Sequence, residues 1–151
     1  MQQLFVYKIK ENIRINLPVN NDICNDSANN RFWQHVVQTI ATAVKCPADL
    51  VAHYGSGRFA VILSNTQAEG AVCLAEEIRF QIKAIEIDSA HCQFRQSLTA
   101  SLGVASVIPS RDYSPTLLLT AAAQALYQAK VQGCDRVILY ETLLRQTQFA
   151  R

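Results

Sequence analysis

Two apolar runs joined by a short glycine-rich segment constrain this chain more than any other feature. Leu50-Val51-Ala52-His53-Tyr54 leads into Gly55-Ser56-Gly57-Arg58, and Phe59-Ala60-Val61-Ile62-Leu63 follows. Glycine takes the positive φ angles of tight turns without steric penalty, so this pattern predicts a β-hairpin. A hairpin commits the chain to a sheet whose apolar face must be covered, and helical stripes on either side supply the cover. Phe32, Trp33, Val36, Val37, Ile40, Ala41 and Val44 recur with helical period, and Pro47 ends that helix. Thr66-Gln67-Ala68-Glu69 has the form of a capping box and opens a second helix with the inner stripe Ala71, Leu74, Ala75, Ile78, Ile82 and Ile85.

The remaining elements follow the same logic. Leu4-Phe5-Val6-Tyr7-Lys8-Ile9 reads as a first strand, and a polar, Asn-rich stretch runs from it to Asn30. Leu98, Ala100, Leu102 and Val104 alternate with Thr99, Ser101 and Gly103, the pattern of a half-buried strand. Ser114 as N-cap and Pro115 at the first helical position start a third helix with the stripe Leu118, Ala121, Ala122, Ala125, Leu126 and Ala129. Gly133 stops it, and Arg136–Tyr140 is a last strand. Strands interleaved with helices predict an α+β fold over residues 1–151, a single domain with a mostly antiparallel sheet of about five strands flanked by helices.

Composition narrows the function classes. Half of the 151 residues are hydrophobic and 17% are charged, which supports a packed core rather than disorder. A net charge of +2 with scattered Lys and Arg provides no nucleic-acid or membrane-surface patch. No apolar run approaches the ~20 residues of a membrane span, and Met1-Gln2-Gln3 opens no signal peptide, so a cytoplasmic protein is expected. Five widely spread cysteines without a Cys-x-x-Cys pair fit free thiols. His91-Cys92 has no second ligand pair at zinc spacing, so neither a metal nor another cofactor is expected.

Three segments resemble the GGDEF family, the diguanylate cyclase domain, in the family's order. Asp49-Leu50-Val51-Ala52-His53-Tyr54-Gly55-Ser56-Gly57-Arg58-Phe59 resembles its Asp-x-x-x-Arg-Tyr-Gly-Gly-Asp-Glu-Phe. Ser101-Leu102-Gly103-Val104-Ala105 resembles Ser-x-Gly-x-Ala, and Ala125-Leu126-Tyr127-Gln128-Ala129-Lys130-Val131-Gln132-Gly133 resembles Ala-Leu-Tyr-x-Ala-Lys-x-x-Gly. The resemblance implies a nucleotidyl-cyclase-like palm, with residues 1–48 divergent and 141–151 a C-terminal tail. It also implies a bacterial protein of cyclic di-GMP signalling.

The family joins two GTP molecules by phosphoryl transfer, which needs divalent metal held by carboxylates from the first strand and the hairpin. Here the hairpin acids correspond to Gly57 and Arg58. The first-strand acid, counted back without gaps from Asn21-Asp22, falls on Ile13, with Glu11 the nearest carboxylate. The degenerate hairpin Gly55, Ser56, Gly57, Arg58 and Phe59 therefore implies no catalytic residue and no metal site.

Asn21 matches a guanine-reading asparagine, Asn30 stands where the second guanine reader is Asp, and Lys130 matches a phosphate-contacting lysine. The next arginine position is Cys134. Cys46-Pro47-Ala48-Asp49 corresponds to the inhibitory Arg-x-x-Asp motif and retains only Asp49. Plainer roles stand beside these: a turn at Asn21-Asp22, a helix C-terminus at Lys130, a strand start at Asp49. Arg58 beside Gly55 and Gly57 also has the makings of an anion site. Neither His35 nor His53 has an identifiable nucleophile partner.

The expected function is a catalytically inactive regulatory or protein-interaction module. It would form a homodimer or contact a sensory domain, a receiver domain or a partner protein. The alternative is a non-catalytic GTP sensor using Asn21, Asn30, Lys130 and Arg58. An active diguanylate cyclase with a rebuilt metal site is the third reading.

Overall fold

The hairpin strands form where the glycine-rich segment predicts them. In the computed structural model, which describes residues 2–10, 25–53, 58–85, 98–108 and 114–140, β2 (Leu50–His53) pairs antiparallel with β3 (Arg58–Ser64). Val51 stands opposite Val61 and His53 opposite Phe59. β1 (Gln2–Lys10) lies on the other side of β3, antiparallel to it and to β4 (Thr99–Val107). β5 (Val137–Leu139) runs parallel to β4, giving the order β2-β3-β1-β4-β5. The five-stranded, mostly antiparallel sheet agrees with the sequence reading.

Helices α1 (Asn25–Ala43) and α2 (Ala68–Lys83) cover one face of the sheet, and α3 (Pro115–Val131) covers part of the other. On the first face, Val36 and Ile40 of α1 and Ala71, Ala75, Ile78 and Ile82 of α2 meet Phe59, Val61, Leu63, Leu102 and Val104. On the second, Leu118, Ala121, Ala122 and Leu126 of α3 meet Ala105 and Val107, with Ala60 and Ile62 half-buried beside them. All six residues of the expected α3 stripe are buried. Ser114 caps that helix, its Oγ accepting from the Leu117 amide at 3.3 Å.

β4 departs from the half-buried strand expected of it, because both of its faces are buried. Its even positions enter the α1–α2 side, while Ser101, Gly103 and Ala105 lie beneath α3. The alternation misleads because Ser and Gly are chosen here for small size, not for contact with water. A Cβ built on Gly103 would fall onto the Ala122 carbonyl oxygen and the Leu126 amide nitrogen, and 2.9 Å from Leu126 Cα. The helix backbone rests directly on the strand.

Two helix starts also differ from expectation. α2 takes Gln67 rather than Thr66 as its N-cap, with no side-chain cap bond from that residue. Thr66 Oγ1 donates to the Ser64 carbonyl at 3.1 Å, serving the turn made by Asn65 at φ 51°. α1 begins at Asn25, so Asn30 is helical and not part of a loop. Its buried line is Val36, Ile40 and Ala43, whereas Ala41 is exposed, and the helix ends at Ala43, ahead of Pro47.

Candidate functional site

Strand register gathers the candidate residues at one end of the sheet. Lys8 of β1 stands opposite Arg58 on one side and Ser101 on the other, and Lys10 opposite Thr99. His53 at the end of β2 is opposite Phe59. Because β5 starts beside Leu102, the end of α3 and residues 132–136 lie at this same end. Among the described residues the five strands contain no Asp or Glu, and Lys8, Lys10 and Arg58 take register positions at this end.

Arg58 is the first residue of β3, not part of the turn, and it is exposed. It shares its strand face with Ala60 and Ile62, the side that α3 packs against. Phe59 points the opposite way and is fully buried, which makes it an anchor of the hairpin in the core. β1 is described from Gln2 to Lys10, and its last residues toward the site are Lys8-Ile9-Lys10. Gly55, Ser56, Gly57, Asn21, Glu11 and Ile13 lie outside the described residues.

Asn30 is on the second turn of α1, and Lys130 is in the last turn of α3, which leads into the loop at Cys134. Asp49 does not join them. Its Oδ1 accepts from the Ser64 amide at 2.9 Å, and Ser64 Oγ donates to the Ala48 carbonyl at 3.3 Å. This staple holds the β2–β3 pair together at the end remote from Arg58, the strand-start role weighed for Asp49.

The structure adds one cluster that no sequence signal announced. Asp135 Oδ1 accepts from Arg79 Nη1 at 3.0 Å and Oδ2 from Lys83 Nζ at 2.8 Å, while Arg79 Nε donates to Glu76 Oε2 at 2.7 Å. The Asp135 amide donates to Ser101 Oγ at 3.2 Å. Gly133, Cys134 and Asp135 are consecutive residues at positive φ (113°, 63° and 45°), so this clamp fixes a left-handed stretch that non-glycine residues resist. Gly133-Cys134-Asp135 after the α3 stripe marks a turn, but the partners come from a helix some fifty residues earlier, beyond any local pattern.

Burial pushes the Asp135 carboxyl up, but hydrogen bonds and charge from Lys83 and Arg79 outweigh it and hold the group below its ordinary value. A carboxyl depressed on folding stabilises above its unfolded value, ~3.9, and that contribution is lost as pH falls through the folded value. Asp135→Asn is therefore expected to cost about 1 kcal/mol at pH 7, where exposed pairs are screened, and progressively less below pH ~4. Urea midpoints of both proteins at pH 7 and pH 3 would check this, and an unchanging difference would contradict it.

Among the described residues no three His, Cys, Asp or Glu side chains converge as metal ligands. Cys46 and Cys73 are exposed free thiols and Cys134 is a partly buried one. No described helix is long and apolar enough to cross a membrane.

Residues 20–136 match the family described as "Diguanylate cyclase, GGDEF domain". The chain is 32% identical over 122 residues to the probable diguanylate cyclase DgcT of Escherichia coli K12, covering 76% of this chain and 27% of that protein. It is 33% identical over 90 residues to the response regulator PleD of Caulobacter vibrioides, covering 60% and 20%. The chain thus spans less than a third of the length of these curated relatives. Among solved structures, the GGDEF domain of PA1120 (TpbB or YfiN) from Pseudomonas aeruginosa superposes with a TM-score of 0.69 at 27% identity, covering 97% of this chain and 83% of that one.

Proposed function

Since the chain belongs to the diguanylate cyclase GGDEF family, we propose that it is a catalytically inactive member, a regulatory or protein-interaction domain in cyclic di-GMP signalling. One observation carries the reading. Lys8 and Lys10 occupy the end of β1, Arg58 opens β3, and the hairpin positions that would bear acids are Gly57 and Arg58.

Joining two GTP molecules requires a 3′-hydroxyl to lose its proton and attack an α-phosphate while pyrophosphate leaves. Divalent metal on carboxylates supplies both the proton loss and the charge neutralisation. The described residues do not fit that metal. A guanidinium donates five N–H groups, accepts nothing and stays protonated, so Arg58 repels a cation and serves as no base. The apolar frame, in contrast, is complete on both faces of β4. A sound scaffold with unsuitable chemistry fits recognition better than turnover.

The partner is proposed to be a second copy, a sensory or receiver domain, or a separate protein; the kinship to a response regulator favours a signalling input. The location is proposed to be cytoplasmic. A second reading, GTP sensing without turnover, draws support from the placement of Arg58 and Lys130 at the same end of the fold. Incubating the protein with GTP and Mg²⁺ or Mn²⁺ tests the main reading. No cyclic di-GMP above a no-protein control is expected, and product above that control would overturn it.

A further inference from the structure

We infer that the solvent face of α3 is a homotypic surface, on which the same face of a second copy of this chain packs antiparallel. This rests on the reading of the chain as an interaction module, and it names the partner and the place.

The six buried residues of α3 define the side turned to the sheet. At about 3.6 residues per turn, the opposite ridge is Thr116, Thr120, Ala123, Tyr127 and Val131, all of them exposed. Tyr127 and Val131 are 70% and 68% exposed, and Leu117 and Leu119 add exposed apolar flanks. Charge is almost absent. Lys130 is the only ionic residue of α3, whereas α2, on the other face of the sheet, carries five. A solvated helix face is ordinarily polar and charged, so this one is built for contact. A charged partner finds little to pair with here, while two copies bring no like charges together along the ridge.

Shape selects the second copy and its direction. The N-terminal half of the ridge is small (Thr116, Thr120, Ala123) and the C-terminal half is large (Tyr127, Val131). An antiparallel pair with its two-fold axis between Ala123 and Gln124 sets Tyr127 opposite Thr120 of the second copy, and Val131 opposite Thr116. Each large half then fills against a small one, and Ala123 at the crossing lets the helices close. A parallel pair would set Tyr127 against itself and leave a gap between the threonines. The two Lys130 residues fall at opposite ends of the antiparallel pair.

The contact is small. From Thr116 to Val131 the ridge is about 23 Å long, and a strip one helix wide covers roughly 300 Å² per copy, under half of the ~800 Å² of a standard interface. A weak dimer is therefore expected, with a dissociation constant on the order of 100 μM. Because α3 ends at the hairpin end of the sheet, the pair directs its two hairpin ends oppositely, which suits assembly and not the joining of two nucleotides.

Sedimentation equilibrium of the whole chain from about 10 μM to about 1 mM, a range spanning that constant, tests the pairing. The mass should rise with concentration from 16.8 kDa toward twice that value. Tyr127→Glu is expected to weaken association about tenfold or more, and Thr120→Lys to weaken it as well. Both sites are exposed, so circular dichroism of both variants should stay native. Combined in one chain, the two changes should associate at least about threefold more tightly than Tyr127→Glu alone, because each introduced carboxylate faces an introduced ammonium of the second copy. Phe80→Ser, at a 72% exposed residue of α2, should change the constant by less than about twofold, as surface substitutions away from a contact do. A chain that stays monomeric throughout overturns the inference and leaves this face to a different protein; the inactive-module reading stands or falls separately, on the cyclic di-GMP assay. A dimer that ignores Tyr127→Glu, or that the combined variant fails to recover, overturns it too.

Discussion

Gly103→Ala is expected to lower the unfolding free energy by about 4 kcal/mol or more, and Gly103→Val to leave no stable native population. The reason is the identity of the atoms met. Overpacked cores commonly lose 1–3 kcal/mol when neighbouring side chains can change rotamer. At Gly103 the added carbon meets the Ala122 carbonyl, the Leu126 amide and Leu126 Cα, all backbone of α3. Nothing there rotates away, so the helix must move off β4 and open the layer formed by Ala105, Val107, Leu118 and Leu126. Urea unfolding followed by far-UV circular dichroism would measure the loss. A Gly103→Ala protein within 1 kcal/mol of the unaltered chain would show that α3 does not seat on β4 as described.

The second large effect concerns charge at the hairpin. Metal stabilisation is worth several kcal/mol and each ~1.4 kcal/mol is tenfold in rate, so the unaltered chain should form cyclic di-GMP at least about a thousandfold more slowly than a family member with hairpin acids. Gly57→Asp combined with Arg58→Glu removes a fixed cation and adds two carboxylates. This pair is expected to raise Mn²⁺ affinity at least about tenfold, measured as loss of the free-ion spin-resonance signal, since two carboxylates suit a hard cation. Turnover is not expected to follow, because Lys8 and Lys10 still occupy the end of β1 where a further acid is needed. Equal Mn²⁺ affinity before and after the change would remove Arg58 from the explanation.

Much of the fold was legible in the sequence, for identifiable reasons. The α3 stripe from Leu118 to Ala129 was readable because helical period and burial coincide, and Ser114-Pro115 marked its start through cap chemistry. β4 was misread because alternation in residue type reported size, with Gly103 and Ser101 fitting beneath a helix rather than facing water. The start of α2 falls one residue later than the Thr66 pattern suggests, at Gln67, while the Thr66 hydroxyl donates to the Ser64 carbonyl.

The candidate site was legible only in part. The hairpin substitutions at Gly57 and Arg58 are plain in the sequence, but strand register was needed to set Lys8 opposite Arg58. The gapless count to Ile13 falls outside the described residues. The Asp135 clamp depends on a contact between α2 and the loop after α3, so it had no local signal at all.

The most direct measurement is a crystal of this chain grown with Mn²⁺ and a non-hydrolysable GTP analogue, mapped at the manganese absorption edge. The account predicts no anomalous peak beside Arg58, whether or not the analogue is bound. A manganese peak there, held by carboxylate oxygens of this chain with the triphosphate alongside, would contradict it.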